Sequence, residues 1–301
     1  MTAVSAKSLS KNYDKTTALE NVDLRVERGE IFGIIGPDGA GKTTLFRILT
    51  SLLLPDSGTA YVGGLNVVKD YKAIRTIIGY MPGQFSLYQD MTVEENLSFF
   101  ATLFNTRTNE NYHLIRDIYT QIEPFKKRRA GALSGGMKQK LALCCALIHK
   151  PEILFLDEPT TGVDTISRKE LWQMLFKLKQ QGITILVSTP YMDEASLCDR
   201  IALMRNGSVM EINTPTQIKE HYDDVLWAVK GNNMPRLLND LRRNPQVKTA
   251  FAFGNVHHIT VESSLSINEL REYLTSNGNT QIEITTIKPD IEDCYMKAAA
   301  Q

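Results

Sequence analysis

Nine consecutive residues constrain this chain more than any others: Gly36-Pro37-Asp38-Gly39-Ala40-Gly41-Lys42-Thr43-Thr44. They satisfy every fixed position of G-x-x-x-x-G-K-[ST]. The run Glu30-Ile31-Phe32-Gly33-Ile34-Ile35 before them is largely apolar and reads as a buried strand; Leu45 to Leu49 after them reads as a helix. Glycines let the backbone curl until successive N–H groups point at phosphate oxygens. The start of the following helix adds partial positive charge. Lys42 is placed to reach β- and γ-phosphates, and the Thr43 hydroxyl to ligate Mg²⁺. All nine residues are therefore candidate triphosphate-binding residues, and the chain must fold around a strand–loop–helix unit.

At 301 residues the chain has room for two domains. Hydrophobic residues make up 43%, enough for a core without metal or disulfide support. Lys plus Arg and Asp plus Glu each number 34, so the formal charge is zero, which argues against a bulk nucleic-acid binder. The four cysteines, Cys144, Cys145, Cys198 and Cys294, form no C-x-x-C pair. Neither a zinc site nor a disulfide framework is expected, and a reducing cytosol suits the chain. No secretory signal is expected at the start, and no apolar stretch approaches the 18 or so residues of a membrane span. A role at a membrane then needs another chain to cross it.

Residues 3–9 and 18–26 alternate apolar and polar side chains, predicting two strands of a half-exposed antiparallel layer with Tyr13 between them. A short strand is expected at 59–63 and helices at 93–104 and 110–121. An amphipathic helix is predicted between 134 and 148, with Met137, Leu141, Cys144, Cys145 and Ile148 on one side. Buried strands at 152–158 and 183–188 flank a helix at 166–181. This alternation predicts a parallel α/β core. Near residue 222 the pattern becomes strand (225–230), helix (234–243), strand pair (247–253 and 257–262, joined at Gly254-Asn255), helix (267–275), strand (282–287), helix (290–297). The β-α-β-β-α-β order predicts a small ferredoxin-like α+β domain.

Two further stretches carry chemistry. Asp157-Glu158 ends an apolar strand: Asp157 is a candidate second Mg²⁺ ligand, and Glu158 a candidate to orient or deprotonate the attacking water. In Leu133-Ser134-Gly135-Gly136-Met137, Ser134 can cap a helix whose first turn is left open by two glycines, which makes a second anion-facing element. A head-to-tail dimer uses both elements.

On these residues the chain resembles the nucleotide-binding subunit of an ATP-binding cassette (ABC) transporter. Gly36–Thr44 matches Walker A, Leu133–Met137 the LSGGx signature, Ile153–Glu158 Walker B, and Gly162-Val163-Asp164 the D-loop. Tyr13 sits where the family stacks an aromatic ring on adenine. The resemblance implies a P-loop NTPase ABC cassette over residues 1–221, with a RecA-like parallel core, an antiparallel β layer and a helical subdomain. Residues 222–301 would form the accessory domain. It implies ATP and Mg²⁺ as cofactors, and an ATP sandwich in which Ser134, Gly135 and Gly136 meet the γ-phosphate on a second nucleotide-binding subunit, homo- or heterodimeric. Asp164 would act across that interface. The motif wording looks closest to bacterial ABC-2-type exporters, multidrug and daunorubicin-like efflux systems among them. That implies transmembrane permease partners, no nucleic acid, and a peripheral place on the cytoplasmic face of the inner membrane. Phe85, Leu87 and Tyr88 are candidates to receive a permease coupling helix, or else core residues of the helical subdomain. Lys126-Lys127-Arg128-Arg129 reads as a solvated turn.

Two positions depart from the family pattern. After Tyr80-Met81-Pro82 the family places Gln; here Gly83 holds that place and Gln84 follows one residue late. The slip either turns Gln84 from the Mg²⁺ site or is absorbed by glycine in the loop. After Ser188-Thr189 the family places His; here it is Pro190, which offers no side-chain donor. Losing one preorganised donor costs about 10²–10³ in rate. The expected function is the ATPase of an exporter, with its own site slow in an asymmetric dimer. The alternative is a regulatory ATP-binding module whose partner does the hydrolysis.

Overall fold

The computed structural model describes residues 1–300. The chain divides into two compact units, Met1–Pro215 and Thr216 onward. The division precedes the expected 221/222 boundary because helix Pro215–Glu220 buries Ile218, whose carbonyl accepts from Cys294 Sγ at 3.6 Å within the second unit.

In the first unit the strands are β1 (Thr2–Tyr13), β2 (Thr16–Glu27), β3 (Ile31–Ile35), β4 (Ser57–Val62), β5 (Leu65–Asn66), β6 (Ile78–Met81), β7 (Ile153–Asp157), β8 (Thr184–Thr189), β9 (Arg200–Arg205) and β10 (Ser208–Asn213). One sheet, ordered β2-β1-β4-β5, is antiparallel throughout. The other runs β10-β9-β3-β8-β7-β6 and is parallel from β9 to β6. β3, β7 and β8 are buried along their whole length, which is why their sequences read as continuous apolar runs. Helix α1 (Lys42–Leu49) lies in the core between the sheets. Leu45, Phe46, Ile48 and Leu49 are fully buried, and Phe46 meets Phe155 of β7 edge-on at 5.5 Å. β1 extends through Tyr13, so that residue ends a strand and does not sit in a separate connection.

Helices α2 (Tyr71–Ile77), α3 (Val93–Leu103), α4 (Tyr112–Tyr119), α5 (Gly135–Leu147) and α6 (Thr165–Gln180) complete this unit's longer elements. A capping box at Thr92 and Glu95 fixes the start of α3. The amphipathic expectation for α5 is corrected: Leu143, Ala146 and Leu147 are buried beside Leu141, Cys144 and Cys145, while Met137 is only half-buried. The helix packs on α3, α4 and β6 together, so its second half has no solvent face. Of the two readings of the trio, Leu87 takes the core one, being buried, while Phe85 is half-buried and Tyr88 exposed. Asn96 of α3 draws its loop inward, accepting from Tyr88 N at 3.0 Å and donating to Tyr88 O at 3.0 Å.

The second unit contains β11 (Val225–Lys230), β12 (Val247–Phe253), β13 (Val256–Val261) and β14 (Glu283–Thr286) in one antiparallel sheet ordered β12-β13-β11-β14. Helices Met234–Arg243 and Ile267–Ser276 connect them, and Ile291–Ala300 follows. This element order and strand order are ferredoxin-like. Its core gathers Trp227, Val229, Leu237, Leu241, Ile259 and Leu270. No described helix is long and apolar enough to cross a membrane.

Candidate nucleotide-binding site

The order β3-β8-β7 puts three strand ends side by side. The glycine loop leaves the end of β3, Asp157-Glu158 leave the end of β7, and β8 lies between them. Carboxyl ends of parallel strands are where open α/β sheets bind ligands. A cleft of about 300 Å³ opens there, lined by Tyr13, the segment from Thr16 to Ala18, the loop from Asp38 to Thr44, and Glu158.

The loop's shape depends on glycine at defined places. Gly41 has φ +99° and a Cβ there would lie 2.5 Å from Ala18 O; at Gly36 it would lie 2.3 Å from Met204 O. Gly41 is also the N-cap of α1, so no side chain caps this helix, and its first turn carries no acid. The first N–H groups of a helix have no intrahelical acceptor, and here they open on the cleft. Lys42 is 3% exposed; its Nζ donates to Gly36 O at 2.8 Å and Pro37 O at 3.0 Å and stands 3.4 Å from Glu158 Oε1. A buried ammonium beside an uncapped helix start suits a polyanion, and the loop fits a triphosphate.

Asp157 is 2% exposed and accepts from Ser188 Oγ at 2.5 Å. Glu158 has a left-handed backbone, φ +50°, an uncommon state for a non-glycine residue that clusters at functional sites. Its N–H donates to both Ser188 O (3.0 Å) and Ser188 Oγ (3.1 Å), and Thr161 Oγ1 donates to its Oε2 at 3.4 Å. Gly36 N donates to Thr189 O at 3.3 Å. The end of β8 thus holds both neighbouring loops. Thr43 and Asp157 offer one hydroxyl and one carboxylate, a donor set that fits Mg²⁺, which keeps waters and phosphate oxygens for its other positions.

Other expected site residues lie apart from this cleft. Ser134 caps α5, its Oγ accepting from Met137 N at 3.4 Å, and Ser134 and Gly135 are exposed while Gly136 is half-buried. Gly136 abuts Ser167, where a Cβ would lie 3.1 Å from Oγ. Asp164 caps α6, its Oδ1 accepting from Ile166 N and Ser167 N at 3.0 Å each. The Ser167 N–H above all holds its carboxyl below the usual range. Gln84 is exposed and does not line the cleft; Gly83 is the residue beside Walker B, with a Cβ position 3.1 Å from Asp157 O. No histidine lines the cleft: His149 stacks on Phe104, His257 bonds Met234 O, and His258 bonds Asp293. Sequence reasoning missed Ser188 as a tie between loops, since it registered only as the residue two before the absent histidine. It also missed Thr16 to Ala18 as cleft wall, whose one signal was proximity to Tyr13.

Residues 19–161 match the family model described as ABC transporter. Over 244 residues the chain is 35% identical to the doxorubicin resistance ATP-binding protein DrrA of Mycobacterium tuberculosis, covering 79% of this chain and 72% of that protein. The chain belongs to the ABC transporter family. Another family member, the probable multidrug ABC transporter ATP-binding protein YbhF of Escherichia coli, is 38% identical over 284 residues, 93% of this chain and 48% of YbhF. This ABC chain therefore spans about half the length of that relative. Among solved structures, cbiO1 from Clostridium perfringens, part of the cbiONQ transporter complex, matches with a TM-score of 0.65 and 28% identity, covering 73% of this chain and 91% of that one. The dimeric ATP-binding cassette MJ0796 bound to ADP and Pi matches with a TM-score of 0.64 and 28% identity, over 70% and 98% of the two chains. The residues matched by the family model, 19–161, lie within the first unit.

Proposed function

We propose that this chain is the ATP-hydrolysing subunit of a bacterial ABC-2-type exporter of multidrug type, peripheral on the cytoplasmic face of the membrane. The observation that carries the reading is the cleft itself: Lys42, Thr43 and Glu158 line it at the uncapped start of α1, and Asp157, next to Glu158 at the end of β7, is held by Ser188. ATP would lie with its base on Tyr13 and its phosphates on Gly36 to Thr44. Thr43 and Asp157 would hold Mg²⁺, which supplies charge neutralisation at the phosphates when bound. Glu158 would orient and deprotonate water. Gln84, exposed one place late, is the weakest member of the set.

The reading extends to a shared site. Ser134, Gly135 and Gly136 open α5 away from this cleft, which suits donation to ATP on a second cassette, with Asp164 beside them. Own-site hydrolysis would be slow, because Pro190 and Gly83 replace a His and a Gln and no histidine lines the cleft. An asymmetric pair follows, in which this chain's signature completes a faster site elsewhere. A groove of about 260 Å³ with Leu87, Phe100, Phe104 and Ala142 in its wall suits a permease coupling helix. Measured alone, the chain should bind ATP and hydrolyse it slowly; brisk turnover by the unmodified homodimer refutes the slow site. The absent His and Gln also favour a second reading, a regulatory module. In the assembled transporter, full turnover by Glu158→Gln would support the module and a large loss the motor.

A further inference from the structure

Arg168 stands in the first turn of α6, its N–H donating to Asp164 O at 2.9 Å. Its guanidinium reaches the segment after β8 in three ways. Cζ lies 4.2 Å from the centroid of the Tyr191 ring. Nη1 donates to Asp193 Oδ2 at 3.2 Å, and Nε is 3.4 Å from Glu194 Oε1. Glu194 is 1% exposed, and its carboxylate oxygens accept no hydrogen bond among the described residues. A buried carboxylate needs a counter-charge, and Arg168 is the cation at ion-pair distance. Only arginine does all of this at once, since its plane stacks on an aromatic face while its edge serves carboxylates.

The other end of the same segment is tied to the cleft. Thr189 O accepts from Gly36 N, Ser188 bonds Asp157 and Glu158, and Tyr191 N donates to Thr189 Oγ1 at 3.0 Å. Pro190 lies between these anchors. Having no donor on its side chain, it can influence the cleft only by where the backbone around it stands. We infer that Arg168 is a positioning residue for hydrolysis at this chain's own site: through Tyr191 and Glu194 it fixes the Pro190 turn against the Walker loops. The inference rests on the ATP-hydrolysing reading, and it names a residue outside every motif used to reach that reading.

Removing Arg168 alone strands Glu194, so the test uses the double substitution Arg168→Gln with Glu194→Gln, and Arg168→Lys as the conservative variant. Hydrogen–deuterium exchange of residues 189–194 in the full chain reports position whether or not ATP turns over. Single-turnover hydrolysis, with ATP binding measured in parallel, reports the consequence. The double variant should melt near the parent temperature and bind ATP within about twofold. Exchange across 189–194 should be about tenfold faster, and hydrolysis about tenfold or more slower. Arg168→Lys, keeping charge and losing the stacked plane, should fall between. Unchanged exchange in the double variant overturns the inference, as does faster exchange with an unchanged hydrolysis rate. A parent chain without any turnover refutes the hydrolytic reading instead, and the exchange comparison still decides whether Arg168 positions the turn.

Discussion

The carboxylate of Glu158 lies 3.4 Å from the ammonium of Lys42, and the lysine is almost wholly buried. The charge proposed to hold phosphate and the one proposed to activate water thus balance each other. Glu158→Gln removes the proposed base and leaves Lys42 in place. Hydrolysis should fall by about 10²–10⁴, while ATP affinity holds or rises. Parallel titration with a fluorescent ATP analogue and single-turnover assay would show the two effects separating. A joint loss of binding and rate would mean that Glu158 shapes the loop.

Pro190 occupies the place from which the family supplies a donor. Pro190→His should raise own-site turnover, up to about 10²–10³ if that donor is all that is lacking. Steady-state phosphate release by the purified chain measures it. An unchanged rate would put the limitation on Gly83 or on assembly with a partner.

The glycines of the loop should not tolerate alanine equally. Gly41→Ala places a methyl 2.5 Å from Ala18 O with φ at +99°. Gly39→Ala meets nothing within 4 Å and bears only the cost of φ +80°. The first should lower the melting temperature sharply and abolish ATP binding. The second should cost about 1 kcal/mol and keep binding. Thermal melts with and without ATP would order the two.

Burial pushes the thiols of Cys144, Cys145 and Cys198 well above their ordinary range. A folded pKa above the unfolded one gives stability that is complete below the unfolded value and lost as pH rises. Above about pH 8.5 each thiol should cost about 1.4 kcal/mol per pH unit. Urea midpoints at pH 8 and pH 10 would test this, and thiol reagents at pH 8 should label these cysteines only after unfolding.

Much of this was legible beforehand because the decisive signals are local. A glycine loop between a buried strand and a helix is written in adjacent residues, and so is the period-two alternation of residues 3–9 and 18–26 in the first unit. What stayed hidden depends on neighbours distant in the chain. β6, β9 and β10 are short and lack a clear period, and they exist by pairing with β7, β3 and β9 respectively. Ser188 matters because β8 falls between β3 and β7, an order no single stretch encodes. Whether Leu87 was surface or core could not be read locally, because Asn96, on another element, holds its loop inward.

Helix α1 fills the core between two sheets, yet Gly41 gives its amino end no capping side chain. An anion bound there would complete the element on which the first unit is packed. The nucleotide proposed for this cleft would then act as part of the protein's folding equilibrium. At a hundredfold excess over its dissociation constant a ligand adds about 2.7 kcal/mol to stability. On the proposed function, the survival of this subunit against cellular proteases would therefore follow the ATP pool, and starvation would thin it out.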